Sequence, residues 1–172
     1  QKPALVVAAL DLKAGQSVAD IGAGTGYFLP HLAAAVGPTG RVQAVDIEPT
    51  MVRFMLDRAA TDAALSMVGV QLGTATDPLL GRKTFDRILI VDTWHHIGER
   101  TAYAQRLKLT LRPRGTVVVV DFKLESDRGP KRDHKLAPDV VKQEFEAAGY
   151  TATLDVDLLP DQYLVFARPR EL

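Results

Sequence analysis

Three groups of residues in this chain combine the types and spacing that chemistry needs. The first is Asp20-Ile21-Gly22-Ala23-Gly24-Thr25-Gly26-Tyr27. Its glycines let the backbone turn sharply and let a ligand approach with no Cβ in the way. Asp20 sets a carboxylate beside that turn, which repels a pyrophosphate and welcomes an ammonium group. The second is Asp46. An acid about 20 residues beyond a glycine loop, at the end of a second strand, is placed to accept both ribose hydroxyls of a nucleoside. It could instead cap the helix that Pro49 opens. The third is Asp92-Thr93-Trp94-His95-His96, which follows an apolar run. Histidine titrates near neutrality, so His95 and His96 are candidate proton acceptors. For adjacent residues, one is expected to face a ligand and the other the structure. The structural alternative is that neither takes a proton, and one merely caps a helix or orients Asp92.

Alternating strands and helices must position these groups. Residues 17–21 are apolar and β-capable, as a strand covered on both faces should be. Residues 27–36 follow as a helix with Phe28, Leu32 and Val36 on one stripe. Strands are expected over 41–47, 68–72, 85–92 and 116–122. A short helix is expected over 3–10, and one long helix over 50–67 with Met51, Met55, Leu56, Ala59, Ala63 and Leu65 mostly inward. Helix 99–111 should end in a Leu111-Arg112-Pro113-Arg114-Gly115 turn, and helix 138–148 should bury Val140, Val141 and Phe145. Strands 151–159 and 162–168, joined by Pro160-Asp161, must pair antiparallel because so short a link allows nothing else. The glycine spacing is G-x-G-x-G. A dinucleotide fingerprint would put its third glycine at Tyr27, where a large aromatic spoils helix–strand packing.

The Asp20-to-Gly26 loop resembles the signature loop of class I S-adenosylmethionine-dependent methyltransferases, and the likeness runs in order from about Ser17 to Arg168. It implies an α/β fold, a Rossmann-like doubly wound sheet of seven strands, mostly parallel with an antiparallel C-terminal hairpin strand. It implies S-adenosyl-L-methionine as cofactor, held by Asp20, Gly22, Ala23, Gly24, Thr25, Gly26 and Tyr27 of the loop. Asp46-Ile47-Glu48-Pro49-Thr50-Met51 is similar to the family's second segment, where Asp46 takes the ribose, Ile47 packs on the adenine and Met51 sits near the ribose end. Ala75 and Thr76 would edge the adenine, and Asp92 and Thr93 would bound the methionine end. Two positions depart from the family pattern. Thr74 stands where an acid often follows the glycine, which leaves Asp77 as either an adenine contact or a turn residue. Arg114 replaces one glycine of an L-x-P-G-G turn. The Asp92–His96 segment and the Leu159-to-Phe166 ending are similar to a bacterial small-molecule subgroup of the family.

The remaining aromatic and basic residues carry two readings each. Trp94 walls an acceptor pocket or packs in the core. His134 reaches over the pocket mouth or lies in solvent with the basic cluster 131–135, Tyr163 reaches the site or packs in the sheet, and mid-helical His31 is exposed.

Composition bounds the answer. A chain of 172 residues suits one domain, with 1–16 as an N-terminal helix and partial lid ahead of a core over 17–168. Zero formal net charge leaves no broad basic face, so no nucleic-acid partner is expected. There is no cysteine, and the four histidines lack metal-ligand spacing, so no metal is expected. No apolar run nears the roughly 20 residues of a membrane span, and a cytoplasmic enzyme is expected. The chain begins at Gln1 rather than Met, which leaves room for a removed leader or lid. The oligomeric state is not written in the sequence. The expected partner is a small-molecule methyl acceptor, with methyl transfer by in-line displacement. The alternatives are a non-catalytic module that binds the cofactor or its product, and a methyltransferase acting on a protein side chain. A nicotinamide oxidoreductase is disfavoured by Tyr27, Asp20 and the terminal hairpin.

Overall fold

The computed structural model describes residues 2–170. In chain order these form α1 (Pro3–Ala9), β1 (Ser17–Ile21), α2 (Leu29–Val36), β2 (Arg41–Asp46), α3 (Pro49–Thr61) and β3 (Val68–Leu72). There follow β4 (Phe85–Val91), α4 (Arg100–Thr110), β5 (Leu111–Phe122), α5 (Pro138–Ala147), β6 (Tyr150–Asp155) and β7 (Gln162–Pro169). The seven strands make one sheet in the order β3-β2-β1-β4-β5-β7-β6. The pairs from β3 through β5 are parallel, and β7 pairs antiparallel with both β5 and β6. This is the mixed, doubly wound sheet expected.

The period-2 alternation of strand side chains sorts the core into two layers. Val18, Leu89, Val118 and Val120 face α1, α2 and α3, with Leu10, Leu32 and Met55 packed on them. Ala19, Ile88, Ile90, Val117 and Val119 face α4 and α5, with Leu107, Phe145 and Tyr150 packed there. Continuous β-branched runs are what a sheet covered on both faces requires. Among the described residues, no helix is long and apolar enough to cross a membrane.

Five local expectations are corrected. The helix expected over 50–67 ends at Thr61, because the Asp62 side chain accepts from the Ala64 amide and starts a 3-10 turn over Ala63–Leu65. Its apolar stripe is narrower than the spacing predicts: Met55 and Leu65 are buried, but Leu56 is exposed. The 111–115 segment is no turn outside the sheet. It belongs to β5 as a bulge, with Phe85 opposite Leu111 and then Arg87 opposite Thr116. Arg114 takes the left-handed conformation there, φ +64°, at the position where the sequence resemblance implies a glycine. Val140 is exposed, and β6 stops at Asp155, whose Oδ1 accepts from the Asp157 and Leu158 amides and turns the chain early. The N-terminal helix α1 lies in the core through Val6 and Val7.

Candidate active site

The strand order reverses between β1 and β4, and in such sheets ligands sit outside the carboxyl ends of the strands at that point. The glycine loop leaves β1 there. Gly22 has φ +71°, and a Cβ on it would lie 2.2 Å from Thr93 Oγ1, so the loop and the 92–96 segment are packed backbone to side chain. Gly24 has φ +55° and nothing within 4 Å of a Cβ position, which leaves its outer face open to a ligand.

Asp46 ties the loop to β2. Its Oδ2 accepts from the Gly24 amide at 2.7 Å and its Oδ1 from the Glu48 amide at 3.0 Å. Glu48, not Asp46, holds the cap position of α3, and its side chain makes no capping bond. A carboxylate has about four acceptor sites, so Asp46 retains capacity for hydroxyls.

Above these residues lies a cavity of about 500 Å3. Its lining includes Ile21, Gly22, Asp46 and Ile47 from the ends of β1 and β2, residues 73–75 after β3, and Thr93 and His96 after β4. The cavity therefore gathers Gly22, Asp46, Ile47, Ala75, Thr93 and His96 of the expected site residues. Ile47, one of the lining residues, is a large apolar side chain 53% exposed. Ala23, Gly24, Thr25, Gly26 and Tyr27 follow around the loop outside the lining, with Tyr27 exposed and edge-on to Phe28. Met51, in the first turn of α3, and exposed Thr76 also lie outside it. Glu48, Thr74, Ile97 and Tyr103 line the cavity unanticipated. Asp77 is a turn residue: its carbonyl accepts from the Thr74 amide, its Oδ1 from the Leu79 amide, and its Oδ2 pairs with Arg106.

Asp20 is buried near the end of β1 and is not among the residues lining the cavity, and among the described residues its Oδ2 has no hydrogen-bond partner. A buried unpaired carboxylate is costly. Burial first, and the Asp46 charge second, push the Asp20 carboxyl up to about 7.

The two histidines diverge as adjacent residues should. His95 points inward: its Nδ1 lies 2.9 Å from both oxygens of Asp121, and the two side chains are 3% and 0% exposed. The hydrogen bond to Asp121 raises the His95 pKa against the opposing effect of burial. His96 faces the cavity, its ring 4.2 Å from that of His95. Burial, and then the charge on His95, lower its pKa. Asp121, which holds His95, is not singled out by the sequence as a site residue. Its only signal is a carboxylate ending an apolar strand.

Asp92 takes φ +51° and accepts from Gln162 Nε2 at 2.6 Å. Trp94 is core: it stacks on Phe145 at 4.7 Å and its Nε1 donates to Glu144 Oε2 at 2.8 Å. Tyr163 is buried, its hydroxyl donating to the Leu136 carbonyl. His134 and His31 are exposed and line no part of the cavity.

Comparison with known proteins follows the same geometry. A family model described as "Methyltransferase domain" matches residues 18–115. The crystal structure of an S-adenosylmethionine-dependent methyltransferase from Aquifex aeolicus superposes with a TM-score of 0.90 at 28% identity, over 96% of this chain and 88% of that one. A ubiquinone/menaquinone biosynthesis C-methyltransferase of Hydrogenovibrio crunogenus is 28% identical over 111 residues, 64% of this chain and 44% of the relative. A nocamycin O-methyltransferase of Saccharothrix syringae is 33% identical over 108 residues, 63% of this chain and 38% of the relative. The chain thus spans less than half the length of these curated relatives.

Proposed function

This chain belongs to the class I S-adenosylmethionine-dependent methyltransferases, and we propose that it methylates a small-molecule acceptor held against His96. The residues present fit the cofactor. The unpartnered Asp20 Oδ2 offers a counter-charge to an ammonium group, Asp46 offers acceptors to ribose hydroxyls, and exposed Ile47 offers an apolar face to adenine. A cavity of about 500 Å3 is in the range of nucleoside-sized ligands. Bound there, the cofactor supplies an electrophilic methyl group on a positively charged sulfur, whose displacement leaves a neutral thioether.

The chain's own residues then have two tasks. The glycine loop, Asp46 and Thr93 hold the reactants close and in line, which can lower a barrier by roughly 7–11 kcal/mol. His96 accepts the proton that the acceptor gives up as its heteroatom or carbon takes the methyl group. The observation that carries this reading is the position of the His96 ring on the cavity wall, with His95 beside it held by Asp121. His95 is a positioning residue in this scheme. The relatives named for ubiquinone/menaquinone biosynthesis and for nocamycin support a small acceptor here.

The test is transfer of isotopically labelled methyl groups to a panel of phenols, quinols and amines by the unaltered chain and by His96→Ala. General bases contribute about 10²–10⁴-fold, so kcat should fall by that factor with S-adenosylhomocysteine affinity unchanged. An unchanged kcat would remove the base. Labelling of protein side chains alone would overturn the small acceptor.

A further inference from the structure

At the other end of the sheet from the candidate active site lies a second cavity, of about 690 Å3. It opens at the amino ends of β4 and β5, where Phe85 pairs with Leu111. Its walls carry Lys83, Lys108, Arg112, Arg114, Arg168 and Arg170. These six cations come from four places in the chain: the loop before β4, the last turn of α4, the β5 bulge and the end of β7. Arg112 pairs with Asp86 at 2.9 Å, and Lys108 Nζ donates to the Gly149 carbonyl at 3.1 Å. Among the described residues, the side chains of Lys83, Arg114, Arg168 and Arg170 have no ion-pair partner. So dense a cluster repels itself, in a chain whose formal net charge is zero.

The backbone is bent to form this concavity. Arg114 at φ +64° and Lys83 at φ +48° are two of the five non-glycine residues with positive φ among the described residues, and both are cations on its wall. A long cationic side chain gains nothing locally from the left-handed conformation, and such conformations concentrate at functional sites. The β5 bulge aims Arg112 and Arg114 together, as bulges beside binding sites do.

We propose that this groove is a binding site for a compact oligophosphate, a ligand with two or more linked phosphoryl groups. Four of the six cations are arginines, whose planar forks match phosphoryl oxygens two at a time. The volume exceeds one phosphate and matches several, or a nucleoside carrying them. The positive charge is gathered into one concavity. A long nucleic-acid backbone would need it spread along a face.

The test is calorimetric titration of the intact chain with inorganic triphosphate at low ionic strength, with S-adenosylhomocysteine present to fill the other cavity. Parallel arms use orthophosphate, a nucleoside triphosphate and a single-stranded oligonucleotide. Triphosphate should bind one to one and weaken steeply with salt, and Arg168→Gln combined with Arg170→Gln should cost about tenfold or more in affinity. S-adenosylhomocysteine affinity should be unchanged in that variant, which shows that it is folded. Tighter binding of the nucleoside triphosphate than of triphosphate would identify the source as a nucleotide, and equal binding a free oligophosphate. No triphosphate binding, binding indifferent to the two substitutions, or binding of the oligonucleotide alone would each overturn the proposal.

Discussion

Replacing Asp20 by Asn tests whether a buried acid is kept at the end of β1 for a cationic ligand. The carboxyl rises from 3.8 to about 7 in the folded chain, first through burial and then through the Asp46 charge. Below pH 3.8 the folded and unfolded chains are both protonated at this site, and it costs nothing. As pH climbs, the unfolded chain ionises first and the folded state loses ground until about pH 7. The loss then stays constant at about 4 kcal/mol at most. Asn keeps the shape and has no charge to bury. The variant should therefore match the parent's stability near pH 4 and exceed it at pH 8, with Tm higher by on the order of 10 °C as an upper bound. Ligand binding should move the other way. An ammonium group stabilises the ionised Asp20, so S-adenosylhomocysteine affinity in the parent should rise with pH up to about 7 and then level. In the Asn variant it should be weaker and flat across that window. Thermal melts at several pH values and calorimetry in two buffers of different ionisation enthalpy read both effects. Equal Tm at pH 8, or unchanged affinity in the variant, would refute the reasoning.

The other predictions concern the base and the bulge. Because His96 is held below its ordinary 6.5, the acid limb of kcat/KM should fall below that pH. Removing the neighbouring charge with His95→Gln should move the limb upward, as a pH–rate profile would read. Arg114→Gly relieves a left-handed conformation and should stabilise the chain by about 1 kcal/mol, raising Tm by about 2–4 °C in a denaturation scan. An unchanged or lower Tm would mean that the arginine side chain offsets the strain.

Much of this was legible in the sequence for physical reasons, and the rest was hidden for equally physical ones. Residues 17–21, 41–46 and 85–91 carry apolar runs that only a doubly covered strand explains, and the glycines at 22, 24 and 26 mark where β1 must open. From these the sheet and its ligand end followed. Short-range hydrogen bonding defeated periodicity at Asp62 and Asp155, where a side-chain oxygen competes for backbone amides and ends the element. Pro113 and Gly115 read as a turn, yet β4 supplies pairing on both sides of them and keeps the segment in the sheet. The divergence of His95 and His96 could be foreseen, but not the direction of each. The partner that decides it, Asp121, is 26 residues away from His95 and arrives only through the β4–β5 pairing. Trp94 was ambiguous for the same reason: Glu144 and Phe145 reach it from α5.

The most direct test of the account is calorimetric titration of S-adenosylhomocysteine into the parent chain and Asp46→Ala. Two hydroxyl-to-carboxylate bonds at about 1.5–3 kcal/mol each predict a loss of affinity of about 100-fold or more, with the fold intact by thermal melt. Equal affinity in the two proteins would contradict the placing of the cofactor between Asp46 and the glycine loop.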